Sequence, residues 1–163
     1  MTTLTLNSLA ATTALAKAMA TCAAQAAPPA ILMRGALGAG KTTFISAVVT
    51  ALPGAHMAEV SSPSFTLVNL YPTSPAVAHV DLYRTGGLGL DADVEDILND
   101  PQYWCLMEWA EYLPASCIPA AYVAMDWTVT HAQRVIRLHA QGLAACAFLD
   151  CVRAGFATWQ DTP

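Results

Sequence analysis

The octapeptide Gly35-Ala36-Leu37-Gly38-Ala39-Gly40-Lys41-Thr42 constrains this chain more than any other feature. It satisfies G-x-x-x-x-G-K-[ST] at every fixed position. The pattern requires a strand before it and a helix after it. Ala30–Met33 is a short apolar run of the kind found in a strand buried on both faces. Lys41–Leu52 reads as a helix, closed by Pro53-Gly54. Glycines permit positive φ and let backbone amides approach phosphate oxygens with no Cβ in the way. Successive N–H groups form an anion nest, and the start of the helix adds its positive end. Gly38, Ala39, Gly40, Lys41, Thr42 and Thr43 are therefore the candidate phosphate-binding residues. Lys41 supplies a point charge for the β- and γ-phosphates, and the Thr42 hydroxyl is the expected magnesium ligand.

Such a loop needs acids at neighbouring strand ends, because magnesium takes oxygen ligands, often through water. Two acids stand there. Asp81 ends the apolar run Val77–Val80, and Glu108 ends Cys105–Met107. A carboxylate at the tip of an apolar strand is costly to bury without a purpose. Either acid is alternatively a helix cap or a partner for Arg84. Arg84 and Arg134 are open to two readings, contact with nucleotide or plain surface charge. Trp109, next to Glu108, either stacks on substrate or packs. His56, His79, His131 and His139 show no ligand spacing and read as structural, and the remaining Met and Trp residues read as core.

The rest of the chain predicts alternating elements. Thr2–Leu6 is a first strand. Leu9–Ala24 is an Ala-rich helix capped by Asn7 or Ser8 and ended by Pro28-Pro29. Phe65–Tyr71 and Val77–Tyr83 are further strands, Asp91–Leu98 a short helix, and Tyr103–Met107 a strand. Ala121–Val129 and Arg134–Ala140 pair as antiparallel strands, and Gly142–Ala157 is a final helix. Alternation of this kind predicts one domain over residues 1–163. Its fold class is α/β, a three-layer P-loop NTPase-like fold with a mixed central sheet and helices on both faces.

Charge and cysteine content narrow the function. The formal net charge is −5, and the seven Lys and Arg residues lie scattered from Lys17 to Arg153. A protein that gripped RNA or DNA by itself would need a basic face, so a nucleic-acid role would run through a partner. Five cysteines without a C-x-x-C imply neither a zinc site nor a disulfide framework, and read as buried free thiols of a reducing cytosol. The apolar N-terminal stretch has no basic n-region and no clean run of about 18 apolar residues, so neither a signal peptide nor a membrane span is expected. The guanine signatures N-K-x-D and D-x-x-G are absent, which leaves adenine as the expected base. Five arginines in the whole chain leave little room for the arginine-rich lid of a small-molecule kinase.

Four segments together are distinctive: GALGAGKTTF (Gly35–Phe44), SSPSFTL (Ser61–Leu67), HVDLYR (His79–Arg84) and LMEW (Leu106–Trp109). In this order and spacing they resemble the bacterial TsaE (YjeE) family of small P-loop ATPases. The resemblance runs from the N-terminal helix to Arg134. It implies a cytoplasmic, magnesium-dependent ATPase that joins TsaD and TsaB in making N6-threonylcarbamoyladenosine at position 37 of tRNA, with tRNA met only through the complex. It implies that Thr42 and Glu108 hold Mg2+ and that Lys41, Asp81 and Glu108 are catalytic, with Asp81 at the γ-phosphate. It also implies that Ser64 and Thr66 lie in a switch-like loop, that Arg134 contacts nucleotide, and that adenine sits near Ser8 and Thr12. The segment Gly86–Asp100 and the tail after Leu138 depart from the family pattern. A small-molecule kinase and a nucleotide-gated binding module with negligible turnover are the competing classes.

Overall fold

The computed structural model describes residues 2–57, 63, 66–130 and 133–156. Along them run β1 (Thr2–Leu6), α1 (Leu9–Ala23), β2 (Ala30–Arg34), α2 (Lys41–Ala51), β3 (Val68–Tyr71), β4 (Ala76–Asp81), α3 (Ala92–Asn99), β5 (Tyr103–Glu108), β6 (Tyr122–Thr130), β7 (Gln133–Gln141) and α4 (Leu143–Gly155). The strands form one sheet in the order β1-β7-β6-β2-β5-β4-β3. β6, β2, β5 and β4 are mutually parallel at its centre. β7, β1 and β3 join antiparallel at the flanks. This is the mixed sheet expected from the sequence.

Period-two alternation decides what each strand gives to each face. Ile31 and Met33 of β2, Leu106 of β5 and Met125 of β6 point to the face covered by α1, α2 and α4, where Leu15, Met19, Phe44, Ile45 and Val152 meet them. Leu32, Val80 and Met107 point the other way, onto Val94 of α3 and Leu113. Each such side chain, fully buried, contributes roughly 1.5–3 kcal/mol. Helices thus lie on both faces of the sheet, the three layers the alternation implied.

Several boundaries moved for identifiable reasons. The Ser8 side chain accepts a hydrogen bond from the Ala11 N–H at 3.1 Å, so Ser8 rather than Asn7 caps α1. The run expected to stay extended to Tyr83 stops at Asp81. There the Asp81 Oδ1 takes the Tyr83 N–H at 3.0 Å, and the chain turns through Tyr83–Thr85. β3 begins only at Val68, because Leu67 adopts φ +63, a left-handed value that no strand accommodates. Phe65, the expected start of that strand, lies outside the described residues.

The cysteine expectation needs correction. Cys22 and Cys151 are joined by a disulfide across a sequence separation of 129 residues. Both stand near the C-terminal ends of helices, α1 and α4, which pack side by side. Spacing in the sequence carries no trace of that neighbourhood. Cys105, Cys117 and Cys146 remain thiols. Burial, with Asp100 nearby, raises the Cys105 thiol to a pKa of about 11, so it stays protonated. Among the described residues no helix is long and apolar enough to cross a membrane.

Candidate active site

The glycine loop joins β2 to α2 at the carboxyl ends of the central parallel strands, the end of an open α/β sheet where ligands bind. Gly35, Gly38 and Gly40 take φ values of +133, +75 and +109. At Gly35 a Cβ would lie 2.5 Å from the Trp127 carbonyl oxygen, so the loop can leave β2 only through glycine. Gly40 caps α2 and brings no side chain to bond to the first amides of that helix. Those amides and the positive end of an eleven-residue helix suit an anion.

Strand register brings the acids to the loop. Asp81 of β4 stands directly opposite Glu108 of β5, and Glu108 stands opposite Met33 of β2. Alternation turns Val77, His79 and Asp81 toward the α2 face, and likewise Trp104, Leu106 and Glu108. The Thr42 Oγ1 donates to Glu108 Oε1 at 2.6 Å, a bond across 66 residues. His79 Nε2 lies 3.0 Å from the same Oε1. Asp81 and Glu108 are 5% and 3% exposed.

Lys41 is 3% exposed, and its ammonium folds back over the loop. Nζ donates to the carbonyl oxygens of Gly35 at 2.6 Å and Ala36 at 3.1 Å. It lies 4.1 Å from the centroid of the Trp109 ring, a cation–π contact. Burial lowers the Lys41 pKa, and Glu108, Glu111 and Asp81 oppose that shift. Trp109 itself holds φ +58, rare for a bulky residue, and its ring lies among Tyr83 and Tyr112.

A cleft of about 190 Å³ opens here, lined by residues 37–43 with Asp81, Tyr83, Glu108 and Trp109. A second hollow of about 290 Å³ shares Ala39, Gly40 and Thr43 with it and is completed by Ser8, Leu9, Thr12, Trp127 and Arg134. The two together gather the residues 38–43, Asp81, Glu108 and Arg134 singled out from the sequence, with Arg134 in the second hollow rather than beside the acids. Arg84 lines neither. It borders a separate hollow of about 430 Å³ with Leu67, Leu88 and Asp91. Thr66 donates to Asn69 Oδ1 at 3.1 Å, while Ser64 and most of the switch-like loop lie outside the described residues.

A model of the family described as threonylcarbamoyl adenosine biosynthesis protein TsaE matches residues 6–136, well over half of the chain. The chain belongs to the TsaE family. It is 32% identical over 108 residues to the tRNA threonylcarbamoyladenosine biosynthesis protein TsaE of Treponema pallidum, covering 65% of this chain and 73% of that protein. The TsaE protein of Aquifex aeolicus is 53% identical over 55 residues, 33% of this chain and 41% of its own. That of Bacillus subtilis is 33% identical over 100 residues, covering 60% and 61%. The match spans less than two thirds of the length of two of these three relatives. A crystal structure of Bacillus subtilis YdiB superposes with a TM-score of 0.72 at 22% identity, over 93% of each chain, which is a likeness of fold.

Two neighbours of this TsaE-family site make contacts that the sequence reading did not anticipate. The sequence reads His79 as structural, because a lone histidine shows no ligand spacing, and the structure sets it against Glu108. Its place two residues before Asp81 in an apolar strand put it on the same face, and that was the available signal. The sequence reads Trp127 as core, and the structure buries it in the main hydrophobic cluster. Its ring packs edge-on against Phe44 beneath the loop, with Nε1 buried and without a partner among the described residues. Its proximity to Gly35 arises from the β2–β6 pairing, which no local pattern reveals.

Proposed function

We propose that this TsaE-family chain binds ATP with magnesium, hydrolyses it, and does so with a TsaB–TsaD pair in forming threonylcarbamoyladenosine at position 37 of tRNA. The observation that carries the reading is the meeting of Lys41, Thr42, Asp81 and Glu108 in one cleft at the end of a glycine loop. The 2.6 Å bond from Thr42 to Glu108 brings the two expected magnesium ligands together, so the residues present fit the ion. Thr42 and Glu108 would hold magnesium, which when bound supplies positive charge to the phosphate oxygens.

The chain's own groups do the remaining work. The loop amides and the start of α2 receive the β- and γ-phosphates. Lys41 exchanges its bonds to the Gly35 and Ala36 carbonyls for phosphate oxygens, which relieves the burial of its charge. Asp81 orients a water whose oxygen attacks the γ-phosphorus as the bond to the β-phosphate oxygen breaks, leaving ADP and phosphate. The Ser8–Thr12 side of the second hollow, with Arg134, takes the nucleoside. Among the described residues no arginine lines the phosphate cleft. An arginine beside Lys41 and magnesium in the transition state would then come from a partner, which makes turnover alone slow. The same observation disfavours a small-molecule kinase, whose lid would bring arginines over the phosphates.

Reconstitution tests the pathway reading. The chain is added to a TsaB–TsaD pair with tRNA, ATP and a threonylcarbamoyl donor, and modified adenosine is counted over many turnovers. The proposal expects modification to depend on this chain and to fail with Lys41→Ala. Modification indifferent to the chain contradicts it.

A further inference from the structure

We infer that His79 is a positioning residue: its Nε2–H fixes the Glu108 carboxylate where Thr42 can share it, and so sets how much magnesium the nucleotide site requires. The inference rests on the nucleotide reading above and adds to it a group outside the cleft.

Register makes the contact. His79 stands opposite Leu106, two residues before Glu108, so His79 and Glu108 are diagonal neighbours on one face of the β4–β5 pair. Diagonal positions are within reach of long side chains only. The imidazole spans that distance and puts Nε2 3.0 Å from Oε1. It is fully buried, 0% exposed, between Tyr71, which stacks on it, and the strand end. With the Glu108 oxygen as acceptor in this contact, Nε2 carries the hydrogen and donates it. Nδ1 is buried and has no partner among the described residues. An orphaned polar atom is a cost that packing alone does not explain, since an apolar side chain would avoid it.

Glu108 gains a fixed orientation in return. Oε1 accepts from both Thr42 Oγ1 and His79 Nε2, and neither donor engages Oε2. With two donors on one oxygen, rotation of the carboxylate about its last torsion, otherwise broad, is suppressed. Ligating carboxylates depend on such outer hydrogen bonds, whose loss typically costs 10–100-fold in metal affinity or activity. His79 lines neither the cleft nor the second hollow, so it acts through Glu108 and touches no substrate.

The test separates positioning from packing. A fluorescent ADP analogue is titrated with magnesium against the native chain and the variants His79→Leu, His79→Gln and His79→Asn, with a parallel titration in EDTA and a thermal melt of each. The Gln amide nitrogen reaches where Nε2 stands, and the Asn amide is one methylene too short. The expected result is a need for about 10-fold more magnesium in His79→Leu and His79→Asn, near-native behaviour in His79→Gln, and unchanged affinity in EDTA for all. Should His79→Leu fail to fold, the Gln–Asn pair decides. A folded His79→Leu with a native magnesium titration overturns the inference, as does a Gln variant no better than Asn. Nitrogen NMR of the metal-free, nucleotide-free chain gives an independent reading: a proton on Nε2 supports the bond, and a proton on Nδ1 overturns it. A native chain that binds no nucleotide under any condition contradicts the nucleotide reading instead.

Discussion

Lys41 is a cation almost wholly removed from water, answered by two carbonyls and an indole ring rather than by a direct ion pair. Burial lowers its pKa below 10.5 despite Glu108, Glu111 and Asp81. The unfolded chain keeps that proton up to the ordinary value, whereas the folded chain releases it earlier. Across that window the unfolded state binds more protons, so the contribution of this group to stability rises with pH. We predict that urea denaturation of the native chain, compared with Lys41→Met, shows a stability difference moving in favour of the native chain as pH climbs toward 10.5. A difference that stays flat with pH contradicts the burial argument. A charge kept at such a cost is consistent with a site awaiting an anion. At this scale the glycine-loop residues were legible because the pattern fixes their spacing. Asp81 and Glu108 were legible because each interrupts an apolar strand at its tip. His79 was not, because its significance lies in a diagonal contact that exists only once β4 and β5 pair.

The glycine loop is the element whose sequence and geometry agree most closely, and its glycines differ in what they tolerate. A Cβ at Gly35 would meet the Trp127 backbone oxygen at 2.5 Å, and the backbone there cannot give way cheaply. A Cβ at Gly38 would meet nothing within 4 Å, so only its φ of +75 resists. Gly35→Ala is therefore predicted to cost about 2–3 kcal/mol by crowding added to strain. Gly38→Ala is predicted to cost about 1 kcal/mol. Denaturation midpoints of the two variants check this, and equal costs would contradict the geometry. Element types were legible throughout because hydrophobic period and Pro/Gly punctuation are local signals. Element ends were less so. β4 ended where the Asp81 carboxylate captured the Tyr83 amide, and β3 began late because Leu67 turned left-handed.

For the whole molecule, the layered α/β class followed from alternation, but strand order did not. The sequence contains no record that β6 lies beside β2, or that β7 then carries Arg134 to the far side of the loop. Nor does it announce that α1 and α4 meet closely enough to join Cys22 to Cys151. These pairings set two hollows side by side, one with the acids and one with Ser8, Thr12 and Arg134, where the proposed nucleotide would lie. The cleft has its lysine, its hydroxyl and its carboxylates, and no arginine among the described residues. The proposed site is a hydrolytic one that partners complete. Phosphate release from ATP by the pure chain, with and without a TsaB–TsaD pair and with Lys41→Ala as control, tests it most directly. Slow release alone, a clear rise with the pair and none from the variant are expected. Release that persists in Lys41→Ala, or is absent under every condition, would contradict it.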